Sequence, residues 1–413
     1  MLVFLLVLVV VLAVLGGVHW YVWRRLVRDV TAPGGTARRV GTVAVVVLPV
    51  LSLAALTSSR AGAPFWFQQV VAWPGFLWLA LLLYVTLALV VGEAVRPVLR
   101  RWLDRRATAE VQPAAPVPVT VPETAAPAVE APEPPAAAPS RRLFVSRVVG
   151  GSAAAVALGT VGYGTYGVLR GPRIKRVTVP LAKVPRAAHG YRIAVVSDIH
   201  LGPILGRAHS QRIVDAINST QPDLIAIVGD LVDGTVENLG SAAEPLARLR
   251  ARHGSFFVTG NHEYFSGADA WVDHVRELGL RPLRNERVEI AAGFDLAGVD
   301  DIAGEGEGQG PDFARALGDR DRARAAVLLA HQPVVIHDAV RHGVDLQLSG
   351  HTHGGQLWPG NYLAELANPT VAGLERYGDT QLYVSRGAGA WGPPVRVGAP
   401  SDITLVELAS KQA

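Results

Sequence analysis

The chain has 413 residues, half of them hydrophobic, and a formal net charge of +4 at pH 7. This length accommodates two domains, and so high a hydrophobic share indicates that part of the chain lies in a membrane. The chain contains no cysteine, which excludes disulfides, thiolate metal ligands and thiol nucleophiles. Any bound metal ion must therefore take oxygen and nitrogen ligands.

Four apolar runs near the start of the chain are long enough to cross a bilayer. They are predicted at Leu2–Trp23, Gly41–Thr57, Gly75–Val95 and Val148–Leu169. Because further runs follow the first, that run is interpreted as an anchor rather than a cleavable signal peptide. Residues 1–106 are thus predicted to form a membrane region with three spans. Four aromatic residues between the second and third runs suit the headgroup layer: Phe65, Trp66, Phe67 and Trp73.

The distribution of arginine predicts the orientation, because positively charged loops stay in the cytoplasm. Five arginines follow the first run, whereas the loop between the second and third runs carries only Arg60. The segment after the third run is again basic. This pattern places the region after the fourth run outside the cytoplasm. Four cations just beyond that run argue the other way: Arg170, Arg173, Lys175 and Arg176.

Residues 107–139 consist almost entirely of Ala, Pro, Val, Thr and Glu. This composition buries too little apolar surface to offset chain ordering, so a disordered, Pro/Ala-rich cytoplasmic linker is predicted. Residues 140–172 comprise a basic flank and the fourth span. The pair Arg141 and Arg142 resembles a twin-arginine export signal, and it fits a positive-inside flank equally well. Both interpretations place the downstream domain outside the cytoplasm.

Residues 173–413 change to short apolar runs that alternate with polar loops and amphipathic segments. Buried strands are predicted at Arg192–Val196, Leu224–Val228, Ser255–Val258, Ala326–Leu329 and Leu346–Leu348. Helical spacing occurs around Ile213, Ala216 and Ile217, at Leu246 and Leu249, and around Trp271–Leu278. The alternation predicts an α/β domain, in which functional groups collect at the carboxyl ends of the strands.

Five short polar blocks follow these strands in order. They are Asp198-x-His200, Gly229-Asp230-x-x-Asp233, Gly260-Asn261-His262-Glu263, His331 and Gly350-His351-Thr352-His353. Most are weak alone, because Asp-x-His is common by chance and Gly-Asp is typical of turns. Together they supply enough carboxylate, amide and imidazole ligands for two divalent ions. Such a pair of ions indicates a hydrolytic site.

The ordered blocks resemble those of the calcineurin-like metallophosphoesterases, specifically a bacterial membrane-associated, phosphodiesterase-like branch. The resemblance covers about Val177–Leu408, with supporting matches at Leu329-Ala330-His331-Gln332-Pro333 and Gly354-Gly355-Gln356. It implies an α/β fold in which two mixed sheets form an αββα sandwich, here preceded by an N-terminal transmembrane helical region. That sandwich would accommodate the later β-like runs Arg287–Ile290, Gln381–Ser385 and Ile403–Leu408.

The resemblance also implies roles by position. Asp198, His200 and His353 would hold one metal ion. Asn261, His331 and His351 would hold the second, and Asp230 would bridge the two, since an anion offsets the repulsion between neighbouring dications. The mix of ligands favours Mn, Fe, Zn or Co over Ca or Mg. The implied reaction is attack on phosphorus by a hydroxide that bridges the metals, with His262 as general acid and Asp233 orienting it.

Other polar residues receive less specific interpretations. Asp233 also fits a solvated turn, and Glu263 and Tyr264 are expected at surface or supporting positions. No site role is expected for His209, His253, His274, His337 or His342. Arg386 and Arg396 are expected in surface ion pairs more than at a phosphate. The loops Gly304–Pro311 and Trp358–Leu374 are expected to set substrate preference.

The leading interpretation is a membrane-anchored phosphoesterase acting on a phosphodiester or lipid-linked substrate. A nuclease is the second candidate, although residues after 170 contain 24 Lys plus Arg and 28 Asp plus Glu, a net charge of −4. This balance gives no general attraction for nucleic acid, so no such partner is expected. A non-catalytic membrane scaffold is the third candidate, and an intact ligand set argues against it. The sequence leaves open the oligomeric state and the choice among monoester, diester and pyrophosphate.

Overall fold

Four long apolar helices come first in the computed structural model, which describes residues 2–110 and 141–412. All four are long and apolar enough to cross a membrane. They are α1 (Leu2–Trp23), which a π-helical turn at Arg24–Arg28 extends, α2 (Thr36–Thr57), α3 (Phe65–Glu110) and α4 (Arg141–Leu169). Each helix contains one of the four predicted apolar runs.

The helices α2, α3 and α4 begin earlier than the predicted spans, and α3 ends later. Hydropathy marks only the apolar part of a helix, whereas flanking Arg, Gln and Glu residues are also good helix formers. The aromatic residues Phe65, Trp66, Phe67 and Trp73 therefore lie inside α3 rather than in a connecting loop. The first four residues of the predicted linker are also helical, since α3 ends at Glu110. The rest of that linker, and Ser140 of the twin-arginine-like flank, lie outside the described residues.

The chain divides into two compact units. One comprises Met1–Val47 and Leu81–Gly159, where Arg25 forms ion pairs with Asp29 and Glu93. The other comprises Leu48–Ala80 and Thr160–Ala413. The end of α2, the start of α3 and the loop between them thus belong to the same unit as the α/β domain.

Two six-stranded mixed sheets form the centre of the α/β domain in the described part of the chain. The first has the order β1-β12-β2-β3-β4-β5, with β1 (Arg173–Leu181), β2 (Tyr191–Val196), β3 (Leu224–Val228), β4 (Ser255–Val258), β5 (Arg281–Pro282) and β12 (Asp402–Ser410). The second has the order β10-β11-β9-β8-β7-β6, with β6 (Glu286–Ile290), β7 (Phe294–Gly298), β8 (Ala325–Leu329), β9 (Leu346–Ser349), β10 (Gly373–Tyr377) and β11 (Thr380–Val384). Strands β2 to β5 run parallel, as do β7, β8, β9 and β11.

Helices that contribute to the buried clusters pack on the outer face of each sheet. They are α5 (Arg207–Ser219), α6 (Val236–Ala243), α8 (Ala268–Glu277), α9 (Phe313–Leu317) and α10 (Ile336–Arg341). The domain also contains the short helices α7 (Asn261–Ser266) and α11 (Gly360–Ala367). One apolar core joins the inner faces, with Val195 and Val258 from the first sheet and Leu329 and Leu348 from the second. Two further cores lie under the helices. The predicted two-sheet αββα sandwich is therefore confirmed.

All eight strands predicted from the sequence are present, with ends that shift by at most two residues. Strands β1, β5, β7 and β10 were not predicted. The predicted helix around Leu246 is a 3-10 turn at Glu244–Arg248. The presumed loop Trp358–Leu374 contains α11, whose Leu363 and Leu366 are exposed, so no buried stripe reveals this helix in the sequence.

Candidate active site

Five parallel strands end beside one another and deliver the polar blocks to one edge of the sandwich. Asp198 follows β2, Asp230 follows β3, Asn261 follows β4, His331 follows β8 and His351 follows β9. Because the carboxyl ends of parallel strands face the same edge, side chains far apart in the sequence meet there. All seven proposed metal ligands belong to these blocks.

The first group of potential ligands consists of Asp198, His200 and His353, and all three are buried. The Nε2 atoms of His200 and His353 are 3.0 Å apart. Oδ1 of Asp198 lies 3.3 Å from Nε2 of His353. This grouping is the one that the resemblance implies for the first metal ion.

The second group consists of Asp230, His331 and His351, with Asn261 beside it. Oδ2 of Asp230 lies 3.1 Å from Nε2 of His331, and Oδ1 of Asn261 lies 3.0 Å from Nδ1 of His351. The same Oδ2 of Asp230 is 3.8 Å from Nε2 of His200 in the first group. Asp230 therefore lies between the two groups, as a bridging ligand must.

The donor atoms suit cations. Nδ1 of His331 donates to the carbonyl of Val228 at 2.8 Å, so in the neutral ring the lone pair lies on Nε2, which faces Asp230. That buried Nε2 has no hydrogen bond of normal geometry with any described residue. Burial lowers the pKa of His331, but the charge of Asp230 outweighs it and raises the pKa well above its ordinary value. The second group thus favours positive charge, which a divalent ion supplies.

Asp233 contacts two histidines through one oxygen. Its Oδ1 lies 2.6 Å from Nδ1 of His262 and 3.0 Å from Nδ1 of His200. Burial lowers the pKa of His262, but the hydrogen bond and charge of Asp233, with Asp230 and Glu263, raise it to about 9. Asp233 is thus not the solvated turn residue of the alternative interpretation. Its contact with His200 was not predicted.

The backbone at this edge is left-handed at five of the seven proposed ligands. The φ angles are 52° at Asp198, 49° at His200, 53° at Asp230, 73° at His351 and 53° at His353. Asp and His adopt this conformation more readily than most residues, and such outliers cluster at functional sites. The neighbouring glycines allow close approach: Gly229 has φ 74°, and a Cβ there would lie 2.6 Å from Nδ1 of His331. Glycine before the ligand is therefore a steric requirement.

Glu263 is a buried supporting residue and not a surface one. Its carboxylate accepts hydrogen bonds from the backbone N–H groups of Asp230 at 2.9 Å, Leu231 at 2.8 Å and Gly260 at 2.6 Å. Burial and the charge of Asp230 raise its pKa to about 7, although the backbone hydrogen bonds oppose that rise. Glu263 thereby ties the loop after β3 to the start of α7. A glutamate three residues into a helix start is the sequence signal for this role.

Arg396 is also buried, with 5% of its surface exposed, so the expected surface ion pair is wrong. Its guanidinium donates to the carbonyls of Gly389, Arg386 and His353 and to Nδ1 of His353 at 3.0 Å. Because a guanidinium only donates, Nδ1 of His353 accepts, and the proton of the neutral ring lies on Nε2. Arg386 is half-buried and forms no ion pair with any described residue.

His209 is a buried histidine beside the site that sequence reasoning set aside. Neither of its ring nitrogens has a hydrogen-bond partner among the described residues. Burial lowers its pKa to about 3, and the charges of Arg212, Arg396 and His200 contribute. The other four histidines without predicted roles contact residues away from the ligand groups: His253, His274, His337 and His342.

A cavity of about 430 Å³ adjoins the ligand groups. His200, Asp233 and His262 line one part of it, and apolar residues line much of the rest. The rings of Phe265 and Trp391 lie 5.7 Å and 5.9 Å from the ring of His262. The cavity thus brings His262, the potential metal ligand His200 and apolar surface together.

The site residues lie within a segment that matches a known protein family. Residues 191–355 match the family model described as calcineurin-like phosphoesterase. A zebrafish (Danio rerio) protein named transmembrane protein with metallophosphoesterase domain is 39% identical over 264 residues, which are 61% of this chain and 60% of that protein. An uncharacterized metallophosphoesterase of Helicobacter pylori strain J99 is 39% identical, covering 62% of this chain and 69% of that protein.

A third relative is covered almost completely. An uncharacterized metallophosphoesterase of Aquifex aeolicus is 35% identical over 243 residues, which are 58% of this chain and 92% of that protein. By contrast, the match spans only about three fifths of the zebrafish protein. The chain belongs to the calcineurin-like phosphoesterase family.

Proposed function

We propose that this protein is a membrane-anchored phosphoesterase that hydrolyses phosphodiester or lipid-linked phosphoester bonds with two divalent metal ions. The observation that carries the proposal is the convergence of two ligand groups that share Asp230 as a neighbour, next to His262 and Asp233. The proposal goes beyond family membership, because membership alone specifies neither the substrate nor the number of metal ions.

The residues present fit two ions of a transition metal such as Mn, Fe, Zn or Co. Asp198, His200 and His353 would hold the first ion. Asn261, His331 and His351 would hold the second, and Asp230 would contact both. When bound, such ions supply a water nucleophile that is activated at neutral pH and neutralise charge on the phosphoryl oxygens.

His262 is proposed as the general acid. Its Nδ1 is engaged by Asp233 at 2.6 Å, so Nε2 is the atom that can give a proton to the leaving alkoxide. Asp233, Asp230 and Glu263 outweigh burial and raise the pKa of His262, which favours the protonated ring that a general acid requires. Asp233 thus acts through His262 and does not itself need to touch the substrate.

The catalytic domain is proposed to lie outside the cytoplasm. The concentration of arginine in the flanking loops favours an outside position for the loop between α2 and α3, which contains Arg60. The guanidinium of Arg60 lies 5.1 Å from the centre of the Phe265 ring, next to His262. This contact supports placing the loop and the catalytic domain on the same side. The opposing cations Arg173 and Lys175 belong to β1, which pairs with β12 inside the domain.

The two alternatives receive less support. A nuclease binds the phosphate backbone of the nucleic acid in a groove with several positive charges. Here Arg60 is the only Lys or Arg among the described residues that line the cavity. A scaffold with a decayed site would be expected to lack ligands, but every ligand position carries a competent side chain. Hydrolysis of a small phosphoester is the better fit.

The test uses the full chain, purified in detergent and assayed with each candidate metal and after chelation. Bis-p-nitrophenyl phosphate, p-nitrophenyl phosphate and single-stranded DNA are compared as substrates. We expect metal-dependent cleavage of the diester and no cleavage of DNA. DNA cleavage would support the nuclease, and inactivity on all three with every metal would contradict the proposed reaction.

A further inference from the structure

The cavity of about 430 Å³ is lined by both polar and apolar residues. His200, Asp233 and His262 supply polar groups at the ligand groups. The membrane region contributes the apolar residues Leu53 and Leu56 of α2 and Phe76 of α3, together with the polar residues Thr57, Ser58, Ser59, Arg60 and Gln68. The remaining apolar lining comes from the catalytic domain and includes Ile204, Leu205, Phe265, Trp391 and Pro394. The volume is typical of a small-molecule site.

We infer that the segment Leu48–Ala80, which joins the second span to the third, is part of the substrate site. Its apolar residues bind the hydrocarbon chain of an amphiphilic phosphoester while the phosphate lies at the ligand groups. This inference rests on the proposed phosphoesterase function, and it assigns to the spans a role beyond anchoring.

The segment is fastened to the catalytic domain at several points within the same compact unit. Arg60 lies over the ring of Phe265, as described above. Phe65, the first residue of α3, packs against the buried cluster that contains Ile213 and Trp271. The ring of Phe76 lies beside Gly392, next to Trp391, where a Cβ would be 3.7 Å from it. Contacts on both sides of the loop make the segment a fixed wall of the cavity.

Two apolar residues of the lining that belong to the catalytic domain are exposed. The exposed fractions are 59% for Phe265 and 49% for Trp391. Exposed apolar surface of this kind marks a binding surface for another apolar group. A hydrocarbon chain is the occupant that fits, because α2 and α3 have the length and apolar composition of membrane spans. The lining is therefore continuous with lipid at one end and with the ligand groups at the other.

The test compares two positions on α2. Leu53 and Val50 are both 63% exposed, but only Leu53 lines the cavity. Leu53→Asn and Val50→Asn are made in the full chain and reconstituted in nanodiscs. Both variants are assayed on two diesters, methyl p-nitrophenyl phosphate and dodecyl p-nitrophenyl phosphate. We expect Leu53→Asn to raise KM for the dodecyl ester by about 10-fold, the effect of losing most of one leucine contact. The increase in KM should be much smaller for the methyl ester, and Val50→Asn should match the wild type on both esters.

A second measurement does not depend on turnover. Dodecyl phosphonate binding to chelator-treated protein should weaken in Leu53→Asn and stay unchanged in Val50→Asn. Equal effects of the two substitutions, or an equal loss on both esters, would overturn the inference. Wild-type protein that cleaves the methyl ester without favouring the dodecyl ester would also overturn it. Wild-type protein that cleaves neither ester with any metal contradicts the proposed function instead.

Discussion

Asp233 holds His262 by a contact of 2.6 Å between Oδ1 and Nδ1. The same oxygen is 3.0 Å from Nδ1 of His200, which belongs to the first ligand group. One carboxylate therefore orients both the proposed proton donor and a proposed metal ligand. A partner of this kind fixes which ring nitrogen faces the site. Metal binding and proton transfer should consequently share a dependence on this residue.

Substitution of Asp233 by asparagine should impair both functions. The amide lacks the charge that orients the two rings, so we expect metal affinity to fall by about 10- to 100-fold. Activity should remain reduced even when excess metal refills the site. Competition with a fluorescent chelator measures the affinity. Unchanged affinity in this variant would show that the contact with His200 plays no part in metal binding.

His262→Asn should separate acid catalysis from metal binding. If His262 only protonates the leaving group, the variant keeps its metal and loses about 100- to 10,000-fold in rate on alkyl esters. The loss should be much smaller on p-nitrophenyl esters, because p-nitrophenolate needs little protonation to leave. Elemental analysis supplies the metal content. An equal loss on both ester types would instead indicate that His262 stabilises the phosphoryl group.

Asp230→Asn should remove metal and activity together. Asp230 lies 3.1 Å from His331 and 3.8 Å from His200, so its charge serves both ligand groups. We expect reconstituted wild-type protein to contain two metal ions per chain and the variant to contain one or none. Asp338→Asn, which breaks only the exposed ion pair with Arg341, serves as the control. Two retained ions in Asp230→Asn would contradict the bridging role.

The orientation in the membrane can be tested by cysteine labelling, because the chain has no cysteine of its own. Ala61→Cys lies in the exposed loop between α2 and α3, and Ala32→Cys lies in the exposed loop before α2. A membrane-impermeant maleimide should label Ala61→Cys in intact cells and reach Ala32→Cys only after permeabilisation. Gln412→Cys should behave like Ala61→Cys. The reverse pattern would place the catalytic domain in the cytoplasm.

His209 should make stability depend on pH. Its pKa is about 3 in the folded chain against 6.5 for an ordinary histidine, so below pH 6.5 the unfolded chain binds more protons. The contribution of the buried, neutral His209 ring to the free energy of unfolding is complete above pH 6.5. It decreases as the pH falls. Between pH 6.5 and pH 5 the loss is about 2 kcal/mol.

His209→Gln should flatten this pH dependence. The measurement is the unfolding free energy of chelator-treated protein in detergent at several pH values. The exposed His189 provides the control, and His189→Gln should retain the wild-type slope. An identical slope in His209→Gln would mean that the buried ring is not the group that titrates.

Much of the sandwich could be predicted because its central strands are continuous apolar runs. β3 and β4 were predicted to the residue, since every residue of Leu224–Val228 is buried and polar residues bound the run. β1 was missed because Arg173, Lys175 and Arg176 interrupt the apolar pattern of an edge strand. β10 was missed for a similar reason, as most of its residues are exposed.

The ligand groups were predictable because glycine-flanked Asp and His residues stand at strand ends, where the topology brings them together. The burial of Arg396 was not, since it depends on carbonyls that fold around the side chain from Arg386 and Gly389. The contact between Asp233 and His200 joins residues 33 positions apart through side-chain geometry alone. Periodicity carries no information about such contacts.

The left-handed backbone at five proposed ligands lowers the stability of the folded chain at positions that the proposed function needs. These ligands are Asp198, His200, Asp230, His351 and His353. Each position costs about 1 kcal/mol relative to a residue without a Cβ, and the cost is present with or without metal. A laboratory selection for thermal resistance alone would therefore favour glycine or asparagine at positions where the proposed metal site requires aspartate or histidine. If a heat-resistant variant lost these side chains, its gain in stability would come from the relief of backbone strain.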